Sequence, residues 1–208
     1  MARYGMDEAS LQGADARGVT AADGSAKAKI ERAALILFAQ NGVDGVSTRD
    51  IANAAGVSEG LIYRHFTSKG GLAATLFETI HARIFQLVQQ ALEQSETFED
   101  AVHRVVAAYC KAADEDRVLF EYHLTHMFRF GRTDAPGRPD PTALIARRIA
   151  QAMAEGDCPP GDAEFKTAAA LGVALQPAAH RMAGRFQLAM ERKAPELARA
   201  ALAALKEA

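Results

Sequence analysis

Between Thr48 and Phe66 the chain reads TRDIANAAGVSEGLIYRHF. It gathers side chains that can hydrogen-bond without holding a nucleophile, a metal set or a phosphate-binding glycine loop. Ile51, Ala55, Val57, Leu61 and Ile62 are spaced as the inner wedge of two short crossing helices, with the small Ala52 at the crossing and Gly56 in the turn between them. That register leaves Arg49, Ser58, Glu59, Gly60, Tyr63 and Arg64 outside. A short helix offering such groups fits the major groove of a duplex and meets base edges with its leading residues. Nucleophile elbows, HExxH and paired-cysteine motifs do not occur.

The elements that must position these residues are helical. Val and Ile are too thinly spread for several strands, and Ala is abundant, so the chain is expected to be all-α, with about nine helices. Ile30, Ala33, Ala34, Leu37 and Phe38 mark one face of a first helix that starts near Ser25 and stops at Asn41-Gly42. Ser47 with Asp50 is a capping pair for the second helix, and Ser58 is placed to cap the third. Ser68 opens a long fourth helix running to about Gln94. Further helices are expected from Thr97, from Asp114, from Pro141 to Gly156, from Asp162 to about Arg192 with a kink at Pro177, and from Pro195. Residues 129–140 are a Gly/Pro-broken loop, and 1–25 have the composition of a mobile extension.

Charge supports the same division. Of 24 Lys+Arg and 26 Asp+Glu in 208 residues, residues 26–71 hold six basic and four acidic, whereas 1–25 and 72–208 are each acidic by two. A basic segment in an acidic protein suits a polyanion, although ordinary surface charge gives the same sum. No apolar run is long enough to span a membrane, and the N-terminus lacks a secretory pattern, so no membrane partner and a cytoplasmic location are expected.

With those residues in view, STRDIANAAGVSEGLIYRHFTSKGGL resembles the DNA-binding signature of the TetR (tetracycline-repressor-like) family. The resemblance is carried by Ala52, Gly56, Val57, Tyr63-x-His65-Phe66-x-Ser68-Lys69-x-x-Leu72 and, in the first helix, Phe38-Ala39-x-x-Gly42, over roughly residues 28–77. Gly70 departs from it where an acidic residue is frequent. It implies a three-helix DNA-binding domain over 26–71 and a larger regulatory domain over 72–208. It further implies that Thr48, Tyr63, His65 and Lys69 grip the sugar-phosphate backbone, positioning without specifying. Arg49, Ser58, Glu59 and Gly60 then lie nearest the bases. Glu59 is open to three readings: accepting from a cytosine amino group, repelling phosphates, or simply suiting the start of its helix.

The resemblance also implies a homodimer on a near-palindromic double-stranded operator, paired through the last two helices. Leu171, Leu175, Met182, Leu197, Leu202 and Leu205 supply apolar area, and Ala168, Ala169, Gly172, Ala174, Ala178 and Ala201 allow close approach. An unidentified small-molecule effector would lie among the middle helices, with Tyr109, Phe120, His123, Met127 and Phe128 as candidates against a plain-core alternative. His123-x-x-His126 lacks a third metal ligand, Cys110 suits a buried core and Cys158 a loop, and no metal or cofactor is expected. The leading function is a ligand-released repressor. A constitutive or partner-controlled regulator is the alternative, and a helical enzyme a distant third.

Overall fold

The computed structural model describes residues 24–130 and 137–207, and those residues form nine α-helices, one 3₁₀ turn and no strand. The helices are α1 (Ala26–Asn41), α2 (Thr48–Ala55), α3 (Glu59–His65), α4 (Lys69–Glu93), α5 (Phe98–Glu115), α6 (Arg117–Phe130), α7 (Pro141–Glu155), α8 (Ala163–Met182) and α9 (Ala194–Glu207), with the 3₁₀ turn at Glu191–Lys193. The extension expected over 1–25 lies outside the described residues except at its last two positions, as do residues 131–136 of the expected loop.

Two compact units divide these elements. The first takes in the described residues through Ile80 and those from Asp116 to the end of α6; the second holds His81–Glu115 and the described residues from 137 on. The boundary expected at 71/72 thus falls inside α4. Helix α6, assigned from sequence to the larger domain, packs in the unit that holds α1–α3.

The first unit is built from local stops and distant packing. Ser25 Oγ accepts the Ala28 amide at 3.2 Å and starts α1. Gly42, at φ 70°, ends it, its amide bonded to the Phe38 carbonyl. Ile30, Ala33, Ala34 and Phe38 are buried as expected, but so is Leu35, from the other side of the helix. Helix α6 explains this. Phe38 and Tyr122 stack at 6.3 Å, and Arg32 Nη1 meets Asp116 Oδ2 at 2.7 Å. The Tyr122 hydroxyl donates to the Ala73 carbonyl of α4 at 2.8 Å, while His123 lies flat on Phe77 at 5.0 Å. Each aromatic buried this way is worth about 1.5–3 kcal/mol, so α6 is an integral part of this unit.

The start expected for α6 at Asp114 is corrected to Arg117. Asp116 is its cap: Oδ1 accepts the Leu119 amide at 3.1 Å while Oδ2 holds Arg32. Asp114 belongs to α5 and works in the second unit, pairing with Arg181 and accepting the amides of Met190 at 3.1 Å and Glu191 at 2.9 Å.

Those bonds correct the expected reach of α8. It ends at Met182, ten residues before Arg192, with Pro177 inside it. Gly184, at φ 69°, closes the end: its amide bonds to the Arg181 carbonyl at 2.9 Å and the Arg185 amide to the His180 carbonyl at 3.0 Å. This is a Schellman end, and it needs a left-handed residue. In the second unit α9 packs on α8 and α5, and α7 packs on α8. Phe98, Ile149, Ala152, Cys158 and Leu205 form a core there, with Arg148 over the Phe98 ring at 5.2 Å. Cys158 lies in the loop between α7 and α8, as expected, but its thiol is buried in that core and donates to the Leu205 carbonyl at 3.7 Å.

Candidate nucleic-acid interface

The scaffold under the candidate residues is closed by its own caps. Ser47 Oγ accepts the Asp50 amide at 3.1 Å, and Asp50 Oδ2 accepts the Ser47 amide at 2.9 Å, a complete capping box at the start of α2. The Ser47 hydroxyl also bonds to Asp50, and both bonds hold the Asp50 carboxyl below its usual range. At the other end Gly56, at φ 65°, places its amide on Asn53 at 3.2 Å and the Val57 amide on Ala52 at 3.0 Å. Two of the first unit's sharp stops are therefore Schellman or box geometry fixed by a few residues. Ile51, Ala52 and Ile62 are buried beneath, with Ala55, Val57 and Leu61 half-buried.

On the outer surface α2 and α3 bring together Arg49, Ser58, Glu59, Gly60, Tyr63, Arg64 and His65, all exposed, with Thr48 half-buried at their edge. Tyr63 keeps 54% of its surface accessible, so it does not fold back into the helices. A Cβ at Gly60 would meet nothing within 4 Å, which leaves an open approach over the first turn of α3. The Ser58 hydroxyl, expected as a helix cap, makes no cap bond and is available to a partner.

Three of these residues are bonded to one another. The Thr48 hydroxyl donates to the Glu59 carboxylate and lies 3.3 Å from the Tyr63 hydroxyl. Glu59 and Tyr63 are one helical turn apart on α3, and Thr48 is the first residue of α2, so only the helix crossing creates this cluster. The exposed His65 has its ring 6.3 Å from that of Phe66.

Lys69 has a second task that the sequence does not announce. Its Nζ donates to the Val46 carbonyl at 2.5 Å and reaches the Asp44 carbonyl at 3.5 Å, holding the α1–α2 loop just before Thr48. The same loop is held by Arg129 of α6, whose Nη1 lies 3.1 Å from Asp44 Oδ2. That contact, with the Arg129 charge, keeps the Asp44 carboxyl below its usual range. Asp44 and Arg129 are 85 residues apart, and no local pattern marks them.

The effector candidates are divided. Tyr109 sits in the second unit and Phe120, His123, Met127 and Phe128 in the first. Phe120 is core, Met127 is half-buried, and Phe128 is 81% exposed. Burial raises the Tyr109 hydroxyl well above the usual phenol range, and pushes the Cys110 thiol up to about 11 with help from Asp114 and Glu191, which leaves it an unreactive core group. His126 is turned away from His123, its Nδ1 at 2.9 Å from the Tyr122 carbonyl. Among the described residues no three His, Cys, Asp or Glu converge on a metal position.

Of the six leucine and methionine candidates for a dimer face, Leu205 is corrected. It is 2% exposed within a single chain, packed in the core of the second unit, and cannot reach a partner. Its carbonyl also accepts the buried Lys166 Nζ at 2.7 Å. Leu171, Leu175, Met182, Leu197 and Leu202 are half-buried; Ala168 and Gly172 are exposed, and beside them Phe165 is 64% exposed. Ala174, Ala178 and Ala201 are buried within the chain, and Ala169 half-buried.

Residues 30–76 match the model of the bacterial regulatory proteins of the tetR family. The transcriptional repressor KstR2 of Rhodococcus jostii is 31% identical over 90 residues, which cover 36% of this chain and 44% of that protein. The chain thus spans under half the length of that relative. In three dimensions it is similar to a tetR-family regulatory protein from Rhodococcus RHA1, with TM-score 0.73 and 21% identity over 87% of this chain and 97% of the other. It is also similar to the regulator FadR from Bacillus subtilis solved with stearoyl-CoA, with TM-score 0.69 and 14% identity over 85% and 97% of the two chains.

Proposed function

We propose, since residues 30–76 match the model of the tetR family of bacterial regulatory proteins, that this chain is a cytoplasmic transcription regulator of that family that binds a near-palindromic DNA operator as a homodimer. The observation that carries this reading is the exposed row of hydrogen-bonding groups on α2 and α3, set on a helix pair whose ends are fixed by a capping box and a left-handed glycine. Such a surface meets base edges and phosphates without first having to order itself. Thr48, Tyr63, His65 and Lys69 are the backbone-gripping groups, and Arg49, Ser58, Glu59 and Gly60 the groups nearest the bases. A two-fold dimer presents this surface twice, one copy per half-site. The unburied Phe165, Ala168 and Gly172 of α8, with the half-buried Leu171 and Leu175, support pairing through α8 and α9.

Repression with release by a small molecule completes the proposal. It draws support from a relative that is a repressor and a structural neighbour that holds stearoyl-CoA. Release requires that the effector bind the non-operator conformer more tightly than the operator-bound one. The test is fluorescence anisotropy of the full chain on DNA flanking its own gene, against scrambled competitor at two salt concentrations. Binding that survives competition supports the regulator. Equal, salt-erased binding to both duplexes overturns recognition at that locus, and selection from random DNA then decides whether any sequence is read.

A further inference from the structure

The Thr48–Glu59–Tyr63 cluster has a direction. A threonine hydroxyl carries one proton, and an ionised carboxylate can only accept. Since Thr48 bonds to Glu59, its proton goes to Glu59. The remaining contact, 3.3 Å between the Thr48 and Tyr63 hydroxyls, then has Tyr63 donating into Thr48 Oγ1. Both protons run toward the carboxylate. A DNA phosphate also only accepts, so in this state neither hydroxyl offers it a proton, and Glu59 adds a like charge beside its path. Two of the groups assigned to grip the backbone are engaged by the one carboxylate of the set, an acceptor that an exocyclic base amino group would satisfy.

We infer that Glu59 is the specificity-determining residue of this interface: it holds the Thr48 and Tyr63 hydroxyls in an internal relay, and surrenders them to phosphate when an exocyclic amino group of cytosine or adenine in the major groove takes its carboxylate. The inference rests on the DNA-binding reading above and deepens it. Base recognition and backbone grip become one coupled event. On a duplex without that amino group at the right position, Glu59 stays on Thr48, the hydroxyl protons remain turned inward, and the carboxylate repels the phosphates. On the correct duplex all three groups change partner together. Discrimination therefore comes from weakening wrong complexes as well as from strengthening the right one.

The experiment uses the full chain and duplexes selected by it from a random pool, with the unselected pool as the comparison. Affinities are measured by anisotropy at two salt concentrations for the wild type, Glu59→Ala, Thr48→Val and the double variant, with helical content checked by circular dichroism. Glu59→Ala is expected to bind the unselected pool at least about fivefold more tightly than wild type, and reselection with it relaxes one base pair in each half-site. Thr48→Val in the wild-type background weakens the selected duplex and leaves the unselected pool within about twofold; beside Glu59→Ala it weakens both. An unchanged selected-to-unselected ratio in Glu59→Ala overturns the inference. So does a Thr48→Val loss that is equal on both DNAs while Glu59 is present. If the wild type selects no duplex at all, the DNA-binding reading fails and takes this inference with it; selection with an unchanged ratio removes the inference alone.

Discussion

Single residues in this protein hold more than one position at once. Lys69 shows it best. Its ammonium sits on the Val46 and Asp44 carbonyls, so the cation is fixed at the mouth of the α1–α2 loop instead of swinging in solvent. Lys69→Ala is expected to weaken binding about equally on all duplexes and to lower the salt slope by about one unit. Anisotropy across a salt series checks this, and an unchanged slope would remove Lys69 from the backbone contacts. His126 is the second case. Burial against Tyr122 and Phe130, with the Arg129 charge, lowers its pKa; the Tyr122 carbonyl and Asp44 oppose this less strongly. The fold thus favours the neutral ring, and the unfolded chain takes up a proton first as pH falls below about 6.5. The contribution of His126 is complete above that value and is lost as pH drops through the lower folded value. The urea midpoint of the wild type should fall more between about pH 7.5 and 5 than that of His126→Phe, which keeps the stack without the titrating ring. Equal falls would show that the ring does not titrate with unfolding.

Helix ends separate what the chain states locally from what it does not. Ser25, the Ser47–Asp50 box, Gly56, Ser68, the start at Pro141 and Gly156 were legible, because each of these ends is set by bonds within a few residues of itself. The end of α8 was not. The apolar positions continue past it through Phe186, Leu188 and Met190, and Asp114 takes the Met190 and Glu191 amides from 76 and 77 residues away. Gly184 was the available local signal. A Cβ there would meet no atom within 4 Å, so replacement costs backbone strain alone. Gly184→Ala should destabilise the protein by about 1–2 kcal/mol, measured by thermal or urea unfolding, and an unchanged midpoint would mean the turn relaxes to a right-handed form. The interface divides the same way. The exposure of its candidate members, from Arg49 to His65, was legible from the helix-turn-helix pattern, but the bonding of Thr48 to Glu59 and Tyr63 needs the crossing of two helices and could not be read along the chain.

At the scale of the whole molecule, the proposed assembly pairs two copies through α8 and α9. Phe165 is 64% exposed beside the exposed Ala168 and Gly172, and Leu197 is half-buried on α9. Leu197→Glu is expected to shift a dimer to monomer in sedimentation velocity, because a carboxylate buried in an apolar contact without a partner is costly. An unchanged profile would place the contact elsewhere. Leu205→Glu offers no such test, since that side chain lies in the core of its own unit and its loss would unfold the chain instead of separating two copies.

The first unit is discontinuous in sequence, and this matters when the chain is made. Phe38, Arg32, Ala73 and Phe77 wait for Tyr122, Asp116 and His123. On the ribosome the segment proposed to read DNA emerges early, yet its core stays open until α6 has followed it out. Domains made in one stretch can close from the N-terminus as they appear; this one must keep an apolar helix face uncovered while all of α5 is being synthesised. A fragment cut after Ile80 would carry every group proposed to face DNA and still lack the helix that completes its interior.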